Sequence, residues 1–278
     1  MIITEKSKVV PFEHHDIEEQ DLGSLYIPAS FSFIIPHLTR LGDTVYYYKS
    51  ATTKSMINEL IGSYLAKRIG LDSVDYEIGR RESDKALFAL SKIFFEEGYQ
   101  YQYAGQFLEE QGYKNGFNML GNPVKLMLPC YYHLRTLKLY KGTSFYNSCL
   151  KLIAVDLKMA QHDRHRKNLQ IKIDSRGTID LAPIYDYGRA YSVNFDLAYG
   201  NPFAFIRYTE STLDLLFRRY PDLRDYVFFL NKIDMEEILR TIEREKHIQF
   251  TSQEKREYGL EQQNIDSLID KVRVKRYI

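Results

Sequence analysis

The sequence predicts an α+β fold of two lobes, with a β-rich N-terminal lobe followed by a mainly α-helical C-terminal lobe. Strand-like and helix-like apolar patterns alternate over the first 95 residues, whereas helical patterns dominate after residue 100. A single hairpin pattern interrupts the helical region. The chain has 278 residues, which is long enough for two units. We therefore expect an N-terminal lobe of residues 1–98 and a C-terminal lobe of residues 99–278.

In the N-terminal lobe, strands are predicted to surround one helix. Apolar side chains recur at helical spacing over residues 56–69, and Gly70 ends that pattern. The first 40 residues are mixed, and Pro28 and Pro36 break any long element there. Tyrosine-rich or alternating composition predicts strands over residues 44–50, 73–80 and 86–95.

The C-terminal lobe is predicted to be helical apart from one hairpin. Residues 169–173 and 178–181 have strand composition, and the residues between them (DSRG) are typical of a tight turn. Helical apolar spacing covers residues 106–111, 123–140, 144–160, 213–220, 223–232, 235–245 and 252–272.

Composition and charge exclude several classes of protein. Hydrophobic residues make up 44% and charged residues 27%, which is typical of a globular chain. No stretch approaches the roughly 20 apolar residues of a membrane span. The net charge of +1 does not indicate direct binding of nucleic acid. The charged start lacks a signal-peptide pattern, and Cys130 and Cys149 form no disulfide framework. A cytoplasmic protein is expected, with signal-less export as an effector left open.

The densest polar cluster lies between a predicted helix and the hairpin. Asp163 is followed five residues later by Asn168, and Asp186 comes 23 residues after Asp163, beyond the hairpin. An aspartate that orients the acceptor hydroxyl, followed by an asparagine and an aspartate that hold Mg²⁺, is the layout of phosphotransferases. A solvated loop with local salt bridges explains the Asp-Arg-His run equally well when it is taken alone. Zinc is not expected, because no carboxylate triad follows the two histidines of the loop.

The N-terminal lobe supplies two further candidates. Lys49 ends the predicted tyrosine-rich strand, and Glu59 follows ten residues later on the predicted helix. In kinases a strand lysine grips the phosphates of the nucleotide and pairs with a glutamate on the next helix. A lysine at a strand end is usually only exposed, so the order of all five residues along the chain carries the prediction.

Several motifs resemble those of HipA-like kinases. Residues 163–168 (DRHRKN) fit the family's D-x-H-x-K-N loop, and residues 181–186 (LAPIYD) are similar to its L-A-P-x-Y-D metal motif. Residues 91–94 (SKIF) resemble its S-K-x-F strand near the hinge, and residues 58–60 (NEL) match the helix that follows its lysine strand. The resemblance runs from about residue 44 to 190. The short length is similar to members that lack the N-terminal accessory subdomain, such as CtkA-like serine/threonine kinases.

The resemblance implies a protein-kinase-like fold and a function. The chain would use ATP and Mg²⁺ to phosphorylate serine or threonine on a protein substrate and on itself, as a toxin-like regulator or effector. An antitoxin or other regulatory partner is also implied. The Asp-Arg-His run is shared with phosphoinositide kinases, which leaves a lipid kinase as the alternative. The basic residues 271–276 would then face a membrane, although a solvated helix end explains them too.

The resemblance also implies roles for individual residues. Asp163 would be the catalytic base, and Asn168 and Asp186 would be the Mg²⁺ ligands. Lys167 would neutralise charge on the transferred phosphoryl group. His165 would brace the loop by a hydrogen bond. Lys49 would anchor the phosphates with Glu59 as its partner.

One departure from the kinase pattern concerns the phosphate-covering loop. Kinases of this kind place a glycine-containing loop before the lysine strand, so that backbone amides can approach the phosphates. The corresponding residues 23–32 hold one glycine and no basic side chain. Ser30 and Ser32 either cap the phosphates, serve as self-phosphorylation sites, or are ordinary loop residues. Because this loop has only one glycine, the sequence leaves a second alternative: a pseudokinase that binds a partner without catalysis.

Overall fold

The computed structural model describes residues 1–12, 26–28, 31, 37–110, 143–161, 164, 169–188, 190–191 and 210–274. A five-stranded sheet and one long helix form the N-terminal part. Helices around a three-stranded sheet form the C-terminal part. The predicted α+β fold class, with β-rich and mainly helical lobes in that order, is confirmed.

The N-terminal sheet has one parallel and three antiparallel strand pairs. Its strands are β1 (Val9–Phe12), β2 (Leu38–Leu41), β3 (Thr44–Ala51), β4 (Tyr76–Arg81) and β5 (Leu87–Lys92). They lie in the order β1-β4-β5-β3-β2, and only the β1–β4 pair is parallel. β3 is therefore flanked by β5 and β2, and Lys49 lies beside Ala89 of β5, two residues beyond the part of β3 that pairs with β2.

Helix α1 (Thr53–Arg68) is fixed at both ends by local sequence. Thr52 and Ser55 form a capping box at its start, in which each side chain accepts from the other residue's backbone amide. At its end Gly70 has a φ of +70°, and the amides of Gly70 and Leu71 donate to the carbonyls of Lys67 and Ala66. This is a Schellman motif, which needs the left-handed conformation that glycine adopts at little cost.

More of the surface of α1 is buried than the one apolar face that the sequence predicts. The polar residues Asn58, Glu59 and Ser63 and the small Gly62 are buried together with the apolar positions. The helix is covered by the sheet on one side and by C-terminal helices on another. A helix enclosed in this way cannot swing outward without breaking buried contacts, so the side chains it carries are held rigidly.

The C-terminal part packs around one central helix. Its strands are β6 (Gln100–Tyr103), β7 (Gln170–Ile173) and β8 (Ile179–Leu181), which form a sheet in that order. Its helices are α2 (Ala104–Glu110), α3 (Ser144–Lys158), α4 (Glu210–Arg219), α5 (Leu223–Asn231), α6 (Met235–Lys246) and α7 (Ser252–Val274). Most of α3 is buried, and α5, α7 and β8 pack against it. Within the described parts of the chain, no helix combines the length and apolar character needed to cross a bilayer.

Several element boundaries differ from the sequence prediction. β1, β2 and β6 are short strands that the apolar pattern did not predict, and β6 turns the predicted hairpin into a three-stranded sheet. β4 starts three residues later than expected because Ser73 and Val74 instead bind Ile184, just before Asp186. β5 ends at Lys92, and the rings of Phe94 and Phe95 pack in an aromatic cluster with Tyr101. The predicted helix over residues 123–140 lies outside the described residues.

Candidate active site

Lys49 contacts carboxylates from both lobes of the fold. Its ammonium group contacts the carboxylate of Glu59 on α1, and its Nζ lies 2.7 Å from Oδ1 of Asp186. Glu59 is fully buried, whereas the side chain of Lys49 is 28% exposed and that of Asp186 is 36% exposed. The cation is thus held between a buried carboxylate and a partly exposed one.

The buried carboxylate of Glu59 is satisfied by backbone as well as by Lys49. Its Oε2 accepts the amide of Tyr187 at 2.8 Å, and its Oε1 accepts the amide of Gly188 at 3.0 Å. A carboxylate inside a protein is costly unless it is paired and hydrogen-bonded, and this one is both. Glu59 therefore fixes Lys49 and the two residues that follow Asp186 at the same time.

Asn58 adds a second connection between α1 and the segment after Asp186. Its Nδ2 donates to the carbonyl of Gly188 at 3.1 Å and to that of Ala190 at 2.6 Å. Its Oδ1 accepts the hydroxyl of Tyr258 on α7 at 2.8 Å. Since all three contacts are at least partly buried, neighbouring residues of one helix turn tie the sheet lobe to the helical lobe.

The close approach of α1 to Tyr187 requires a glycine. A Cβ on Gly62 would lie 2.2 Å from the ring carbon Cγ of Tyr187, well inside van der Waals contact. Tyr187 is fully buried, so its ring has no room to withdraw. Gly62 thus lets the helix lie directly on the residue that follows Asp186.

The electrostatic surroundings keep Lys49 charged. Burial lowers the pKa of its ammonium group, but Tyr76, Glu59 and Asp186 together raise the pKa well above its usual value. A lysine that stays protonated at neutral pH and is partly exposed is suited to binding an anion such as a phosphate group.

The one described residue inside the loop of residues 162–168 is buried, not solvated. The Nε and Nη2 of Arg164 bind the two carboxylate oxygens of Asp156 at 3.2 and 3.1 Å. Its Nη1 donates to the carbonyl of Tyr185 at 2.7 Å, and its guanidinium lies 4.9 Å from the ring centroid of Tyr187. Both ionic side chains are less than 5% exposed. Arg164 therefore forms a buried ion pair, and not the exposed local salt bridge that the alternative interpretation of this loop predicts.

The structure brings together three of the predicted site residues, Lys49, Glu59 and Asp186. The other predicted residues lie outside the described parts of the chain: Asp163, His165, Lys167, Asn168, Ser30 and Ser32. Their described neighbours do contact the site, because Gln161 and Arg164, on either side of Asp163, bind the carbonyls of Asp186 and Tyr185 respectively.

The sequence did not identify the buried residues that hold the loop of Asp186 in place. Asn58, Tyr76, Asp156 and Gln161 are all buried polar or aromatic side chains with partners near Asp186 or in its loop. Asn58 lies beside Glu59 in the recognised motif, and Gln161 lies two residues before Asp163 in the polar cluster, so their positions were the available signals. Tyr76 looked like any tyrosine of a strand, and its partner lies 110 residues away.

Similarity to known proteins is found in the fold and not in the sequence. No protein-family model matches the sequence, and neither does any curated protein. Among solved structures, the chain is similar to the proinflammatory kinase CtkA of Helicobacter pylori, with a TM-score of 0.49, 14% identity, and coverage of 86% of this chain and 92% of CtkA. It is also similar to the toxin–antitoxin structure of HipA with HipB and operator DNA from Shewanella oneidensis MR-1.

The likeness to the HipA structure has a TM-score of 0.54 at 14% identity and covers 85% of this chain. The match spans 64% of that chain's own length. At this identity the likeness establishes the fold, and it confirms the predicted relationship to HipA-like kinases at that level. Residue roles and activity do not follow from it.

Proposed function

We propose that this chain is a kinase that transfers the γ-phosphoryl group of ATP to serine or threonine of a protein, with Mg²⁺ as its metal. The contact of Lys49 with both Glu59 and Asp186 carries the proposal. β3, α1 and the segment after β8 contribute one side chain each, and a phosphate-binding cation beside a metal-binding carboxylate is what phosphoryl transfer requires.

Nucleotide binding would depend first on Lys49. Its ammonium group is oriented by the buried Glu59. In the complex the phosphate oxygens of ATP would compete with Asp186 for this cation, because the Asp186 side chain is the more exposed of its two partners. Electrostatic stabilisation by a preorganised cation is a large part of phosphoryl-transfer catalysis.

The residues fit a magnesium ion held jointly by protein and nucleotide. Among the residues that the structure describes, no group of three or more His, Cys, Asp or Glu side chains could hold a metal alone. Mg²⁺ in kinase sites needs only one or two protein oxygens together with substrate phosphates. Asp186 offers a partly exposed carboxylate for this purpose, and Asn168 is the proposed second ligand. When bound, Mg²⁺ neutralises charge on the phosphates.

In the transfer step we assign the base to Asp163. Its carboxylate would accept the proton of the substrate hydroxyl as that oxygen forms a bond to the γ-phosphorus and the bond to the β-phosphate oxygen breaks, releasing ADP. Lys167 would neutralise charge on the transferred group, and His165 would brace the loop. The anchoring of Gln161 and Arg164 to the backbone of residues 185 and 186 supports this, since both flank Asp163.

The proposed kinase would also have a regulatory role. One structural neighbour is the HipA structure with HipB and operator DNA, so we propose a toxin-like regulator or effector with an antitoxin-type protein partner. Ser30 or Ser32 would be the site of self-phosphorylation, or would cap the bound phosphates in place of a glycine-rich loop.

Substitution of the proposed base tests the assignment. We expect Asp163→Ala to lower the rate of phosphate transfer by at least about 100-fold, because the acceptor hydroxyl loses its proton acceptor. Binding of Mg-ATP, measured by calorimetry, should remain close to that of the wild type. Transfer at the wild-type rate would show that the loop was assigned incorrectly. Acid hydrolysis of the labelled product identifies phosphoserine or phosphothreonine as the acceptor.

A further inference from the structure

Asp186 has an unusual backbone conformation for a residue with a side chain. Its φ is +67°, in the left-handed region that residues other than glycine enter rarely. Aspartate tolerates this region better than most residues, yet such a conformation persists only where the surroundings hold it. The nearby contacts must therefore account for it.

Two buried side chains hold the backbone of Asp186 on either side of its Cα. The hydroxyl oxygen of Tyr76, from β4, accepts the Asp186 amide at 3.2 Å. The Nε2 of Gln161, three residues beyond the end of α3, donates to the Asp186 carbonyl at 2.8 Å. Tyr76 is 4% exposed and Gln161 is 2% exposed, so neither contact competes freely with water.

Tyr76 also lies beside the other half of the site. The Nζ of Lys49 is 5.9 Å from the centroid of the Tyr76 ring, close enough for a weak cation–π attraction. One side chain of β4 therefore contacts both partners of the Lys49–Asp186 ion pair. Removal of the hydroxyl alone leaves the ring contact with Lys49 in place. A Tyr76→Phe variant therefore tests the contact with the Asp186 amide separately from the contact with Lys49.

We propose that Tyr76 and Gln161 are positioning residues that hold Asp186 in its left-handed conformation, and thereby direct its carboxylate toward Lys49 and the metal. The inference rests on the proposed function. By this assignment neither residue needs to touch metal or phosphate. Their loss should weaken metal binding more than it lowers the rate at saturating metal.

The test compares two Tyr→Phe variants in the same sheet. Tyr76→Phe removes the acceptor of the Asp186 amide and keeps the ring. Tyr46→Phe removes a hydroxyl of β3 that donates to Glu77 at 3.2 Å, a contact that does not involve Asp186. Binding of Mn²⁺ is followed by electron paramagnetic resonance in the presence of a non-hydrolysable ATP analogue, and phosphate transfer is followed as a function of Mg²⁺ concentration.

We expect Tyr76→Phe to weaken Mn²⁺ binding about fivefold to tenfold, as for loss of one buried hydrogen bond, while Tyr46→Phe binds as the wild type does. The Mg²⁺ concentration for half-maximal transfer should rise by the same factor. Equal Mn²⁺ affinity for Tyr76→Phe and wild type, with an active wild type, would overturn the positioning role alone. A wild type that neither binds Mn²⁺ nor transfers phosphate would overturn the proposed function and this inference with it.

A second pair of variants protects the test against misfolding. Gln161→Leu removes the donor to the Asp186 carbonyl, and Gln262→Leu removes a buried glutamine of α7 that bonds to Asp266, which belongs to the same helix. Far-ultraviolet circular dichroism establishes that each variant is folded. Gln161→Leu should weaken Mn²⁺ binding as Tyr76→Phe does, and Gln262→Leu should not. Equal affinities for both glutamine variants would contradict the positioning role.

Discussion

Replacing Lys49 by methionine is expected to lower the rate of phosphate transfer by about 1,000-fold, the scale of loss seen when a preorganised charge in a transition state is removed. Methionine keeps the length and apolar stem of lysine but cannot bind a phosphate. It also removes the 2.7 Å contact between Lys49 and the carboxylate of Asp186. Transfer of labelled phosphate from ATP measures the effect, and calorimetry reports the loss of nucleotide affinity.

Two variants make the Lys49 result interpretable. Lys67→Met is the matched control, because Lys67 is an exposed lysine of α1 whose ion pair with Asp75 lies at the surface. It should transfer phosphate at the wild-type rate. Glu59→Gln removes the charge that orients Lys49 and replaces one of the two oxygens that accept the amides of residues 187 and 188 by an NH2 donor, so it should also slow transfer. A folded Lys49→Met variant that retains more than about a tenth of wild-type activity would exclude Lys49 as the phosphate anchor.

Asp156→Asn is expected to destabilise the protein by about 3 kcal/mol, since it removes a buried negative charge that pairs with the buried guanidinium of Arg164. Both side chains of this pair are less than 5% exposed, so water cannot replace the lost partner. Arg164 also binds the carbonyl that precedes Asp186, and phosphate transfer should fall along with stability. Urea unfolding monitored by circular dichroism gives the free energy of unfolding.

An exposed ion pair provides the comparison for Asp156. Glu236→Gln removes a negative charge from an ion pair on α6, in which Glu236 is 66% exposed and its partner Arg240 is 63% exposed. Surface pairs one helical turn apart contribute about 0.5 kcal/mol or less, so stability should hardly change. Equal losses of stability in the two variants would show that Arg164 is not held by a buried charge pair.

The fold was predictable where one local pattern dominated. The tyrosine-rich strand β3, the helix ended by Gly70, and the helices after residue 210 each have an apolar period long enough to identify them. β1, β2 and β6 have four residues each, too few for an alternating pattern to stand out, and they exist because longer strands pair with them.

The site was predictable only in its ionic residues. The order of Lys49, Glu59 and Asp186 along the chain suggested a shared role, and the structure brings the three together. The supporting contacts were hidden because they join residues far apart, such as Tyr76 to Asp186 and Asn58 to Tyr258. Burial is likewise a tertiary property, so the Asp156–Arg164 pair could not be told from an exposed salt bridge by sequence.

We propose a phosphotransfer site formed by Lys49, Glu59 and Asp186. Its most direct test is incubation of the purified chain with Mg²⁺ and γ-labelled ATP beside an Asp186→Asn variant, which keeps the shape of the side chain but removes the charge that would bind the metal. We predict label on serine or threonine of the wild type and none on the variant. Equal labelling of both proteins, or no label together with no Mg-ATP-dependent thermal stabilisation of the wild type, would contradict the claim.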